Sequence, residues 1–138
     1  MAKGISRGAS CPVFSEERPD ISPEEGEVWK VNLPQACKAG SEIWGVRPCV
    51  VVSSNHSHPY GLRLVVPLTG FNPTHRSSIL GTVVRASPHN GLDKDSTGFV
   101  FHSRSCDLRR FSGHSALGEV RREDLQSLRA SFKVFLNG

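Results

Sequence analysis

Gly40-Ser41-Glu42-Ile43-Trp44-Gly45-Val46-Arg47-Pro48 runs straight into Cys49-Val50-Val51-Val52, and this junction of a glycine-bounded loop with a β-branched run decides the fold. The Val-rich run suits a pleated, buried sheet position, and Pro48 is placed to launch it, since proline is tolerated at the first residue of a strand. The loop carries a carboxylate, Glu42, and a guanidinium, Arg47, five residues apart. An acid/base pair fixed beside a sheet is how a small protein builds an active site on a rigid scaffold.

Upstream of this stretch, Glu27-Val28-Trp29-Lys30-Val31-Asn32-Leu33 sets Trp29, Val31 and Leu33 on one face, as a half-buried strand requires. Downstream, a second strand is expected over residues 49–54. A turn through Asn55-His56-Ser57-His58-Pro59-Tyr60-Gly61 then leads to a third strand, residues 62–69, which makes a hairpin with the second. Pro67 argues for an edge or a bulge near its end. Gly81-Thr82-Val83-Val84-Arg85 and Gly98-Phe99-Val100-Phe101 read as two further short strands, joined by a polar connection containing Pro88-His89-Asn90-Gly91. Short strands separated by turns predict a small, strongly curved barrel rather than a doubly wound sheet. Over residues 122–136, Leu125, Leu128, Phe132, Phe135 and Leu136 recur at steps of three and four, with Glu123 and Asp124 early and Lys133 late. That pattern predicts one amphipathic helix closing the barrel.

The chain of 138 residues has the length and the apolar content of one soluble domain. Residues 1–25 are rich in Gly, Ser, Pro and charge without periodicity, and read as a flexible N-terminal extension ahead of a folded domain at 26–138. The charge divides the same way. Residues 1–25 hold three basic and five acidic side chains, whereas residues 26–138 hold fourteen basic and eight acidic ones. A basic domain attracts polyanions, so nucleic acid or an acidic protein is the expected partner. No apolar stretch approaches the roughly 20 residues that span a bilayer, and the first residues lack the apolar centre of a secretory signal. The expectation is a cytoplasmic protein with no membrane partner. The four cysteines, Cys11, Cys37, Cys49 and Cys106, show no C-x-x-C pairing, so neither a disulfide framework nor a zinc site is indicated. His56-x-His58 lacks third and fourth ligands at usable spacing, and no phosphate-binding glycine loop is present. No metal and no cofactor are expected.

Taken in order, these motifs resemble the MazF/PemK family of toxin endoribonucleases. The resemblance covers residues 26–136. It rests on Gly26-Glu27-Val28-Trp29, on Gly-Ser-Glu-x-x-Gly-x-Arg-Pro at 40–48, on the Val-rich strand at 50–55 and on Val-x-Pro-Leu-Thr at 65–69. It continues through Asp95-Ser96, the Arg-x-x-Asp segment at 104–107, and Gly-x-Val-x-x-Glu-Asp-Leu at 118–125. It implies a mainly β, SH3-like barrel of the MazF/PemK/CcdB toxin type with a C-terminal amphipathic helix, and a symmetric homodimer. It also implies metal-independent cleavage of single-stranded RNA at a short sequence and inhibition by a cognate acidic antitoxin. The family's catalytic positions fall on Glu42, Arg47 and Thr69. Where the family commonly carries an acidic residue and then Gln, this chain has Phe101-His102, a departure that bears on base choice.

The residue types suit that chemistry. Metal-free RNA cleavage uses the ribose 2′-hydroxyl as nucleophile, so the protein takes its proton, neutralises the phosphorane and helps the 5′-oxygen leave. Glu42 is the natural base, Arg47 offers a fork of donors matched to phosphate oxygens, and Thr69 adds a hydrogen bond to them. The products are a 2′,3′-cyclic phosphate or 3′-phosphate and a 5′-hydroxyl. Arginine is a poor proton donor at neutral pH, which leaves the leaving-group proton to water or to His56, His58 or His102. Ser41 and Asn55 either cap their own backbone or bond RNA. Trp44 either stacks on an unpaired base or packs beside the barrel. Arg85 and Arg104 are candidate phosphate contacts, Arg104 with an ion pair to Asp107 as its structural alternative. A reading from another class, a CcdB-like toxin that binds a topoisomerase without cutting RNA, would have no need of the loop at 40–48.

Overall fold

A computed structural model describes residue 17, residues 19–33 and residues 43–138, with Ser57 and His58 in backbone only. Among the described residues eight strands form one curled antiparallel sheet: β1 (Glu27–Leu33), β2 (Gly45–Val51), β3 (Leu62–Gly70), β4 (Gly81–Val84), β5 (Ser96–Phe99), β6 (Arg104–Asp107), β7 (Phe111–Ser112) and β8 (Gly118–Glu119). The spatial order is β4-β5-β3-β2-β1-β7, with β6 also beside β3 and β8 also beside β1. One α-helix among the described residues, α1 (Arg122–Asn137), follows. This is the half-barrel with a C-terminal helix that the strand spacing predicts.

The curl divides the interior in two. Trp29, Val31, Leu33, Cys49, Val51, Val65, Cys106, Leu108 and Phe111 fill the barrel, with the Trp29 and Phe111 rings meeting edge to face at 5.8 Å. On the opposite face Val28, Val50, Val66, Leu68, Val84, Val120 and Leu128 are sealed beneath α1. Alternation along β1 and β2 sends neighbouring residues to opposite cores, which is why both strands are so apolar. The helix starts without a side-chain cap and carries Glu123 and Asp124 in its first turn, where carboxylates favour the dipole. Asp124 is buried and pairs with Arg121 at 3.2 Å. Phe135 and Leu136, expected on the buried stripe, are exposed, because the helix outruns the sheet it covers.

The strands differ from the sequence expectation at their ends. β2 begins at Gly45 rather than Cys49, so Arg47 and Pro48 belong to a strand and not to a loop. Gly45 takes φ +90°, a conformation that side-chain-bearing residues avoid, and turns the chain into register with Leu33 of β1. The turn at 55–60 is a 3-10 helix, and Val100 and Phe101, read as strand, lie in another 3-10 turn, Val100–His102. β3 is not an edge. It bonds β6 over residues 62–65 and β5 over residues 68–70, and Pro67 stands where one ladder gives way to the next. The ladder from β2 to β3 also ends there, at Cys49 opposite Pro67. Pro48 and Pro67 both lack the N–H that would carry it further.

Residues 21–25, read as the tail of an extension, are held to the barrel. Ile21 packs on the barrel core, the Glu25 carboxylate meets Arg129 at 2.7 Å, and the Glu25 N–H donates to Asn55 Oδ1. Residues 1–16, the bulk of that expected extension, lie outside the described residues. The deepest tie is Arg63, fully buried, whose Nε donates to the Pro23 carbonyl at 2.8 Å. Arg63→Ala should therefore destabilise the fold by about 2 kcal/mol, the scale of a buried carbonyl left without its donor. Urea unfolding measures this, and limited proteolysis should cut first within residues 17–25.

Candidate active site

At the rim of the barrel, just past the two prolines, β2 and β3 run on without a ladder between them. The last pair between them is Cys49 with Pro67, and Arg47 and Thr69 each stand two residues past it on the diverging strands. Alternation along β2 puts Arg47 on the same face as Cys49 and Val51, at the mouth of the barrel core. The Arg47 Nε donates to the Trp44 carbonyl at 2.9 Å. That bond spans the turn at Gly45 and fixes the guanidinium, while among the described residues none bonds its two terminal nitrogens. The result is a held fork of donors at the rim, suited to two oxygens of one phosphate.

Cys49, two residues away, plays no nucleophilic part. Burial first and the nearby Cys106 second push its thiol well above the usual range, with Arg47 acting weakly in the opposite direction. It is an apolar filler, as its place in the strand suggests. Cys106 is raised mainly by burial too, and both thiols are free.

Thr69 pairs in the other direction with Thr97 of β5. Thr97 is wholly buried, and its Oγ1 lies 2.8 Å from Nδ1 of His75. His75 sits in the 3-10 helix Pro73–Ser77, where it completes a capping box with Asn72. Beyond it a chain of rings runs along the same rim: His75 on Phe99 at 4.9 Å, Phe99 stacked on Phe101 at 4.9 Å, and His102 edge-on to Phe101 at 4.8 Å. Arg104 opens β6 opposite Val65, on the same side of β3 as these rings. Sequence reasoning missed Thr97 and His75, which are 22 residues apart. The one local signal was Asn72-Pro73-Thr74-His75, a helix cap with a ring nitrogen at the third position.

The other candidates separate. Trp44 and Arg47 are bonded at this rim and Thr69 stands past the last β2–β3 pair, His102 ends the chain of rings, and Arg104, opposite Val65, is level with Val51 rather than with Arg47. Asn55 and His56 follow the far end of β2, a strand's length from Arg47, and Asn55 Oδ1 caps the Glu25 N–H. Arg85 pairs with Asp95 at 3.6 Å and lines a different recess, a cavity of about 550 Å³ shared with Arg121, Arg122 and Asp124 at the start of α1. The expected alternative for Arg104, an ion pair with Asp107, is replaced by Asp107 with Arg109 at 3.3 Å, since Asp107 caps the next 3-10 turn through the Arg109 N–H. Ser41 and Glu42 lie outside the described residues, as does the His58 side chain. Among the described residues no three His, Cys, Asp or Glu side chains gather as metal ligands do, and no helix is long and apolar enough to cross a membrane.

Comparison with known proteins agrees with the geometry. The chain is similar to MazF from Deinococcus radiodurans, with a TM-score of 0.67 at 23% identity over 86% of this chain and all of that one. It is also similar to an endoribonuclease solved with its cognate antitoxin from a mycobacterial species, with a TM-score of 0.61 at 17% identity over 83% of this chain and 95% of that one. The Mycobacterium tuberculosis toxin MazF-mt6 gives 0.61 at 14% identity, covering 80% of this chain and 96% of that one. These likenesses establish the fold. A comparison with curated proteins finds no match. A family model described as the PemK-like, MazF-like toxin of type II toxin-antitoxin systems matches residues 24–136, nearly all of the described barrel and helix, and the chain belongs to that family.

Proposed function

We propose that the protein is the toxin of a toxin-antitoxin pair and a sequence-specific endoribonuclease that cuts single-stranded RNA without a metal. The observation that carries this reading is the Arg47 fork, held by the Trp44 carbonyl and with its terminal nitrogens unbonded among the described residues, at the rim of the MazF-like barrel where β2 and β3 part. In the proposed reaction the ribose 2′-oxygen attacks phosphorus, the bond from phosphorus to the 5′-oxygen breaks, and a cyclic phosphate and a 5′-hydroxyl result. Glu42 takes the 2′-hydroxyl proton, Arg47 and Thr69 donate to the phosphorane oxygens, and water returns a proton to the leaving oxygen.

The reading extends to partners. An acidic antitoxin segment would compete with RNA for the basic domain, and structures of MazE-MazF from Deinococcus radiodurans show such a toxin with its antitoxin. A homodimer would cover apolar side chains that a single chain leaves exposed, Ile79, Phe101 and Phe135 among them. The protein would work in the cytoplasm, alongside translated mRNA.

The test is to incubate the purified protein with a long single-stranded RNA in EDTA and to map the ends by primer extension. Discrete cuts at one short motif with 5′-hydroxyl ends are the expected result. Thr69→Val, which keeps shape and loses the hydroxyl, should slow cutting by about 10- to 100-fold. An absence of cutting across diverse RNAs would overturn the reading.

A further inference from the structure

His75 is an imidazole with a settled proton and an unused nitrogen beside the proposed site. Two donors converge on its Nδ1: the Asn72 backbone N–H at 3.2 Å and the Thr97 hydroxyl, whose Oγ1 is at 2.8 Å. A backbone N–H can only donate, so Nδ1 presents its lone pair and the single ring proton sits on Nε2. Among the described residues none bonds Nε2, and the ring is only partly buried. Its plane is fixed by edge contacts with Phe99 at 4.9 Å and Phe71 at 6.2 Å. The ring stands on the hydroxyl of Thr97, the register partner of Thr69 on β5, and so on the side of β3 opposite to β2 and Arg47. A phosphodiester seated on Arg47 and Thr69 would run on towards it.

We propose that His75 is an RNA-binding residue whose Nε2–H donates, as a neutral imidazole, to a phosphate oxygen on the Thr69 side of the scissile bond. The inference rests on the nuclease reading above. Phosphate contacts fix register and orientation on a strand, and a donor locked by Thr97 and Asn72 needs no ordering when the strand arrives. The Arg76 guanidinium, held over the Phe71 ring at 5.1 Å, makes the same turn cationic and favours a phosphate as the group received.

Two substitutions in the full chain separate binding from architecture. His75→Asn keeps an amide near the Nδ1 position and removes the Nε2 donor, whereas His75→Gln carries an amide N–H towards the Nε2 position and gives up the Nδ1 acceptor. The readouts are anisotropy with a 2′-O-methyl RNA, which has no 2′-hydroxyl to react, cleavage of the unmodified RNA, and thermal melting. His75→Asn should weaken binding and cleavage by about 10- to 100-fold, the range for a lost hydrogen bond to a charged group, and melt like the wild type. His75→Gln should bind RNA close to wild type yet melt lower. The opposite pattern, with RNA affinity following melting temperature, overturns the inference, and so does wild-type affinity in both variants. A wild type that binds the modified RNA but cuts none brings down the nuclease reading alone, while the variants' affinities still decide the role of His75.

Discussion

Arg47→Ala should reduce RNA cleavage by about 10³-fold or more while the protein keeps its fold. Removing a single preorganised donor from a developing oxyanion costs about 10²- to 10³-fold, and Arg47 would supply two parallel donors together with a full charge. Folding should change little, because the guanidinium lies at the rim and among the described residues makes one bond, to the Trp44 carbonyl. Arg47→Lys should recover little. An ammonium cannot hold that carbonyl and still present two coplanar donors to phosphate. Single-turnover cleavage and a thermal melt on the same samples check both statements, and full activity in the alanine variant would overturn the assignment of the site.

Gly118→Ala should cost about 3 kcal/mol of stability, the upper part of the range for overpacking. A Cβ at Gly118 would stand 2.2 Å from the His89 carbonyl oxygen and 2.6 Å from the Asn90 carbonyl carbon. Both are backbone atoms, so no side chain can swing aside. The turn cannot retreat either, since the buried Asn90 side chain bonds the Ser87 and Leu92 N–H groups and the Arg85 carbonyl. Nor can β8 move away, because Gly118 pairs with Val28 of β1. Urea unfolding measures the loss. Cleavage per folded molecule should be unchanged, as Gly118 lies on β8 and not at the rim that holds Arg47.

The sequence is legible where one residue's neighbours decide its structure. The alternation in β1 and the three-and-four spacing in α1 identify both elements to within a residue or two. The family resemblance stands, because seven motifs in order constrain more than any one. The start of β2 escapes such reading, since Arg47 and Pro48 become strand only through β1, which is distant in sequence. The two- to four-residue strands β6, β7 and β8 are too short to show a period. Val100 is apolar and buried whether the chain there is strand or 3-10 turn, so composition could not tell them apart. Of the proposed site, Arg47 and Thr69 were legible as family positions, but that both stand just past the last β2–β3 pair is a property of the register. Thr97 and His75 carry no local mark of joining the rim, and Asn55 looked equally suited to RNA and to the backbone it caps.

β3 is the strand to which β2, β5 and β6 all bond, and this sets the order in which the molecule comes apart. Local openings can release β4, β7 or the end of α1 while the rest stays closed, but no partial opening frees β3 without breaking three ladders at once. Its amides therefore belong to the last cooperative unit to exchange with solvent. Thr69 lies on the same strand past the β2 ladder, bonded to β5 alone, so the end of β3 that carries its hydroxyl opens more readily than the stretch between β2 and β6.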